Sequence, residues 1–171
     1  MNITLTLASE EEMQIVRHFF LFFFCDLSQY DDNLIINEAG LPMWLPSGLP
    51  GPQTADECVI FNWWIRDSCF HYLIRANGKP AGFANVCARQ PHMPEGVDYD
   101  LLDFYIVPKY RRQGVGRQAA RLVFERHHGR WVVYELEKNL PARAFWQAVI
   151  GEYTRGRFEN LDGGIEQRFN N

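Results

Sequence analysis

Polar and apolar residues alternate over residues 2–7 (Asn-Ile-Thr-Leu-Thr-Leu), the period of a strand with one buried face. Ser9 followed by Glu12 forms a capping box, which predicts a helix from there to about Cys25. Its body, His18 through Phe24, is apolar on most sides, so a core helix is expected, with an apolar face wide enough for two copies of the chain to pair on. After a polar, acidic stretch at 26–32, residues 40–52 are dense in Pro and Gly, which forbids a long regular element. Met43, Trp44 and Leu45 predict that part of this stretch packs down, and 57–66 reads as a short helix.

The period then changes to two. Residues 71–76 and 82–89 flank Asn77-Gly78, a strong hairpin signal, and 98–107 reads as a further strand. A helix is predicted over 114–127, with Val115, Ala119, Leu122 and Val123 on one face and Arg117, Arg121 and Glu125 opposite. A strand at 131–137 follows. Pro141 opens the last helix, where its missing N–H costs nothing; Ala142, Phe145 and Val149 share a face, and Gly151 is expected to stop it. Residues 153–158 and 165–169 read as a closing pair of strands. With 171 residues and no internal repeat, a single domain over 1–171 is expected, with 26–56 as a Pro/Gly-rich insertion.

The most informative stretch is 104–117, Phe-Tyr-Ile-Val-Pro-Lys-Tyr-Arg-Arg-Gln-Gly-Val-Gly-Arg. A strand delivers the chain to a loop whose N–H groups meet the positive end of a helix dipole, an arrangement that binds phosphate or pyrophosphate. Gly114 and Gly116 permit close backbone approach, while Lys109, Arg111, Arg112 and Arg117 add positive charge. The net charge of −4 argues against a general nucleic-acid binder, and a basic patch on an acidic chain suits a small polyanion better. The Phe-rich run is far shorter than the ~20 residues a membrane span needs. Glu10, Glu11 and Glu12 before it are the opposite of a signal peptide's basic start. Cys25, Cys58, Cys69 and Cys87 show no Cys-x-x-Cys spacing and no paired His, so reduced, mostly buried thiols in a cytoplasmic protein are expected, and no metal is implied.

The spacing Arg111-x-x-Gly114-x-Gly116 resembles the acyl-CoA pyrophosphate loop of the GCN5-related N-acetyltransferase (GNAT) superfamily, and the order of predicted elements resembles that family along nearly the whole chain. A second segment, Asn139-Leu-Pro-Ala142-Arg-Ala-Phe145-Trp146 with Gly151 beyond, is similar to the family's Asn-x-x-Ala-x-x-Phe-Tyr pattern. The resemblance implies an α/β fold: a mixed, mostly antiparallel sheet of about seven strands with about four flanking helices. It implies acetyl-CoA as co-substrate and a small-molecule or peptide amine as acceptor, with no nucleic-acid or membrane partner. Ile106 and Val107 would lie along the pantetheine arm. The N–H groups of Arg112, Gln113, Gly114, Val115 and Gly116 would cradle the pyrophosphate, with Arg111 and Arg117 nearby, and Asn139 and Trp146 would contribute from the neighbouring strand and helix. The two central strands would splay to admit the thioester, and the acceptor would enter over the first two helices.

Trp146 departs from the pattern, since an indole N–H cannot act as an acid near neutral pH. Tyr134, Tyr105 and Tyr153 are the candidates to protonate the departing thiolate, with Tyr134 carried as the catalytic choice. Asp103, where relatives often carry a carboxylate, is the candidate base; in a regular strand Asp100 would face the other way. Asp26 and Tyr30, after the first helix, are acceptor-side candidates, with Trp44, Trp63 and Trp64 as a candidate aromatic wall. Two other readings compete. Gly114-x-Gly116-x-x-Ala119 with Glu135 or Glu137 downstream outlines a dinucleotide fingerprint, but six residues separate the strand from its first glycine. The other alternative is an acyl-CoA-binding module of the same fold that no longer catalyses.

Overall fold

The computed structural model describes residues 1–45, 51–60, 69–91 and 93–171. Within them the chain forms β1 (Ile3–Leu7), α1 (Met13–Leu27), β2 (Leu34–Ile36), β3 (Pro42–Trp44), α2 (Ala55–Ile60), β4 (Cys69–Ala76), β5 (Lys79–Ala88) and β6 (Tyr99–Ile106). These are followed by α3 (Val115–Phe124), β7 (Arg130–Tyr134), α4 (Leu140–Thr154), β8 (Glu159–Leu161) and β9 (Glu166–Asn170). Seven strands make one sheet in the order β1-β4-β5-β6-β7-β9-β8, and β2 and β3 form a separate small hairpin. Every neighbouring pair in the large sheet is antiparallel except β6 and β7. The α/β fold of mostly antiparallel strands read from the sequence is present.

Local chemistry explains the element starts. Ser9 N–H donates to Glu12 Oε2 (3.1 Å) and Glu12 N–H donates to Ser9 Oγ (3.3 Å), the reciprocal bonds of a capping box. Glu12 also pairs with Arg75 of β4 at 2.6 Å, which ties the start of α1 to the sheet. Asn77 (φ 49°) and Gly78 (φ 76°) both take positive φ, as the tight turn between β4 and β5 requires.

The two faces of the sheet are covered differently. On one, α3 buries Val115, Ala119, Ala120, Val123 and Phe124, and α4 adds Trp146, Val149 and Ile150. On the other, Val16, Phe20 and Phe23 of α1, spaced at helical intervals, pack on Phe83 and Tyr105. Phe20 and Phe83 have ring centroids 4.6 Å apart, whereas Phe22 remains 56% exposed. A side chain has no room at Gly82, since a Cβ there would lie 1.9 Å from the carbonyl oxygen of Tyr105. Backbone therefore meets backbone where β5 passes the end of β6.

Several expectations need correction. Gly151 does not stop α4; the helix continues to Thr154 and ends with Arg155 in the left-handed region (φ 56°) and Gly156 N–H on Gly151 O at 2.8 Å. The stretch expected to be a strand from 153 is thus partly helix, and the last hairpin is β8 with β9. A Cβ added at Gly151 would make an ordinary contact, 3.5 Å from Phe158, so packing does not require glycine there. The helix expected over 57–66 appears as α2, and its remainder, with Trp63 and Trp64, lies outside the described residues.

The thiol expectation also changes. Cys69 and Cys87 stand directly opposite each other on β4 and β5 and are joined by a disulfide. Cys25 and Cys58 are free. Burial pushes the Cys58 thiol up to about 11. Spacing along the sequence could not reveal a pair made by strand register. The bond also removes the argument for the cytoplasm that rested on reduced thiols. Among the described residues no helix is long and apolar enough to cross a membrane. Thiol titration of the denatured chain should count two reactive cysteines without reductant and four after reduction.

Candidate active site

The hydrogen-bonded ladder between the parallel strands β6 and β7 covers only Tyr99–Trp131 and Asp100–Val132. Beyond those pairs β6 runs on to Ile106 without β7 beside it, so the two central strands part. The basic loop and α3 begin at the end of β6, on the open side of this wedge.

Gly114 caps α3 in the left-handed region (φ 80°), and Arg112 also takes positive φ (57°). The helix ladder begins with Gln118 N–H on Gly114 O (3.1 Å), so the N–H groups before it point out of the helix end. A Cβ on Gly114 would meet nothing within 4 Å, so glycine is used there for its conformation. Gly116 serves closeness instead, since its Cβ would lie 3.3 Å from the Phe145 ring. Arg112 and Gln113 are exposed, and Arg112 makes no ion pair among the described residues. This donor set fits a pyrophosphate. Arg117 pairs with Glu152 of α4 at 3.0 Å.

Arg111 is differently engaged. Its Nε donates to Ile106 O (2.6 Å), its guanidinium pairs with Asp26 at the end of α1, and it lies 5.3 Å from the centroid of the Tyr105 ring. Val107 N–H donates to Ala81 O at 2.9 Å. Lys138, after β7, pairs with Asp32. Two ion pairs thus join the last turn of α1 (Asp26) and the stretch after it (Asp32) to both loops that flank the wedge, and the Asp26 carboxylate has a protein partner. Tyr30 lies between them, half-buried. Trp44, on β3, is 42% exposed.

Asp103 sits on the α1 face of the sheet. The β5–β6 register pairs Asn85 with Asp103 but Val86 with Leu101, so Leu102 is an extra residue, a β-bulge. The bulge resets the alternation. Asp100 pairs with Cys87, two residues from Asn85, so Asp100 and Asp103 share a face, contrary to the expectation for a regular strand. Asp103 is half-buried, and burial pushes its carboxyl up to about 6, against the opposing influence of the Asn85 amide and of His71. Asn85 Nδ2 donates to Asp103 Oδ2 at 2.8 Å, and Asn85 Oδ1 lies 2.7 Å from His71 Nδ1. Neither Asn85 nor His71 was picked out from the sequence. Both lie in strands, and only lateral register brings them to Asp103.

Across the wedge, Tyr134 ends β7 on the same face, 47% exposed. Its phenol is held above the ordinary value by burial and then by the Glu166 carboxylate. Tyr105 is buried beneath α1, and Tyr153 packs on Phe124 and Phe169. Trp146 is a core residue, edge-on to Phe104 at 5.0 Å and to Phe145 at 4.8 Å. Asn139 caps α4 by accepting from Ala142 N–H at 3.2 Å. No group of three or more His, Cys, Asp or Glu side chains among the described residues is placed to hold a metal ion.

Glu135, the acid of the competing dinucleotide outline, has both carboxyl oxygens shut off from solvent. Burial pushes its carboxyl up to about 8, outweighing the pull of Gln167 and Arg143. An acid facing inward cannot reach a ribose. The folded-state value is raised, so the stability Glu135 contributes is full below the unfolded value of 4.5 and is lost as pH rises through about 8. Glu135→Gln should therefore melt close to wild type at pH near 5 and clearly higher at pH near 9, as read from Tm against pH.

Comparison with known proteins agrees with this geometry. No curated protein matches the sequence. The chain is similar in structure to a histone acetyltransferase HPA2 and related acetyltransferase from Corynebacterium glutamicum (13% identity, 98% of this chain and 96% of that one, TM-score 0.64). It is also similar to an acetyltransferase from Thermus thermophilus (18% identity, 98% and 95% covered, TM-score 0.61). A third neighbour, AAC(6')-Iy, was solved with the bisubstrate analogue CoA-S-monomethyl-acetylneamine (15% identity, 87% and 90% covered, TM-score 0.54). The acetyltransferase (GNAT) family model matches residues 39–151, a span that contains the wedge, the basic loop and Asn139, and the chain belongs to that family.

Proposed function

We propose that this chain is an acetyl-CoA-dependent N-acetyltransferase that acetylates a primary amine by direct attack in a ternary complex. The observation that carries the reading is the wedge between β6 and β7, with phosphate-binding geometry at its open end and the Asp103 carboxylate on its α1 face. Acetyl-CoA, as co-substrate, supplies the activated thioester. The α3 end and Arg112 hold its pyrophosphate, and its amides run along Ile106 and Val107. Both groups have partners here, Arg111 Nε on Ile106 O and Ala81 O on Val107 N–H, so the arm exchanges with at least one of them.

The acceptor arrives as an ammonium ion. Asp100 and Asp103 on one face favour a cation there, and Asp103 takes its proton before the nitrogen attacks. Tyr134, which stays protonated at neutral pH, returns a proton to the leaving sulfur; its exposed phenol at the end of β7 on the Asp103 face supports the assignment. In a single domain spanning 1–171, the described residues of the 26–56 insertion, 26–45 and 51–56, are assigned to the acceptor side. A second reading, an acyl-CoA-binding module without turnover, draws on Trp146 as core packing in place of a tyrosine. Thiol release with a panel of cationic amines separates the two.

Two outcomes test the reading. Acetyl-CoA should raise Tm with concentration while NADH does not, and Arg112→Glu should weaken acetyl-CoA binding by roughly tenfold or more. Unchanged affinity in Arg112→Glu would remove the pyrophosphate assignment. A base must be ionised, so kcat/KM should rise as pH passes about 6. In Asp103→Asn that limb should vanish and kcat fall by roughly 10²-fold or more.

A further inference from the structure

Asn85 is fully buried, and its amide is bonded at both ends: Nδ2 to Asp103 Oδ2 at 2.8 Å, Oδ1 to His71 Nδ1 at 2.7 Å. A carboxylate can only accept, so the amide must turn its NH₂ toward Asp103. That leaves its carbonyl for His71 and requires a hydrogen on Nδ1. The two bonds are one choice, since a reversed amide would set its oxygen against the carboxylate.

We infer that His71 and Asn85 are positioning residues for Asp103: the His71 Nδ1–H locks the Asn85 amide so that it occupies Oδ2 and leaves Oδ1 turned to the acceptor's ammonium. The inference rests on the reading of Asp103 as base. The lock holds for the imidazolium and for the Nδ1–H tautomer alike, and fails only when the hydrogen moves to Nε2. His71 borders a cleft of about 500 Å³ that is also lined by Glu10, Gln14 and Arg17 from the start of α1 and by Cys69. Groups in that cleft therefore bear on the tautomer: a donor toward Nε2 favours the lock and an acceptor opposes it. Among the described residues of β6 and β7, the other titratable groups on this face near the wedge are Asp100 and Tyr105 of β6 and Tyr134 of β7. The part of α1 packed on this face near them presents Val16, Phe20 and Phe23.

Two measurements decide it. Long-range ¹H–¹⁵N spectra of the wild-type protein, with His71 assigned through His71→Gln, should show hydrogen on Nδ1 at neutral pH. A bare Nδ1 with hydrogen on Nε2 overturns the inference. The Asp103 carboxyl carbon, assigned through Asp103→Asn, should then be titrated by ¹³C NMR. Asn85→Leu and His71→Phe should raise its midpoint by about one pH unit, whereas His71→Gln, whose amide can still donate to Asn85 Oδ1, should leave it within a few tenths. A midpoint unmoved in Asn85→Leu overturns the inference even where the tautomer is as expected. Should those variants fail to fold, the wild-type tautomer alone decides. Loss of the base reading looks different: the pH limb of turnover would survive in Asp103→Asn while tautomer and titration stay as expected.

Discussion

Parallel strands normally remain paired along their common length, because each unpaired N–H or C=O must find another partner or face water. Here β6 and β7 stop bonding after Asp100 and Val132. The opening is held from both sides by apolar packing: Phe104, Phe145 and Trp146 fill the α3/α4 side, and Phe83 and Tyr105 receive α1 on the other. At the end of β6 beside this gap, Ile106 O and Val107 N–H are bonded to Arg111 and Ala81, so in the proposed reading a pantetheine arm would have to exchange with at least one of these bonds. The basic loop and Asp103 take their positions from this parting, since both belong to the strand that outruns its neighbour.

The charges around the gap are sorted by face. The α1 face carries Asp100 and Asp103, with His71 and Asn85 in the same lateral band, while the end of β6 carries the cationic loop. In the proposed reading, a polyanion at the loop and a cation at the α1 face would each meet a field of the appropriate sign. Glu135 shows the opposite solution: a carboxyl turned into the core is kept neutral by burial rather than matched by a charge.

Order and type of elements were legible because periodicity and turn chemistry act locally. The capping box of Ser9 and Glu12, the Asn77-Gly78 turn and the Gly114 cap all sit where their spacing placed them. The turn into α3 was legible for the same reason, as one contiguous basic, glycine-bearing stretch encodes it. What escaped depends on lateral register. The Cys69–Cys87 bond, the His71–Asn85 and Asn85–Asp103 hydrogen bonds and the Asp26–Arg111 pair each join residues distant in sequence. The Leu102 bulge reversed the expected side of Asp100, because alternation counts residues and a bulge adds one. Gly151 misled because a glycine inside a helix reads the same as one that ends it.

The last turn of α1 and the stretch after it are tethered to Arg111 and Lys138 by exposed ion pairs. Such contacts contribute little and are screened over about a Debye length in physiological salt. The tether can let go while every strand of the large sheet stays paired. An acceptor entering on this side, as proposed, would meet a rim whose release costs two screened surface pairs and no strand pairing.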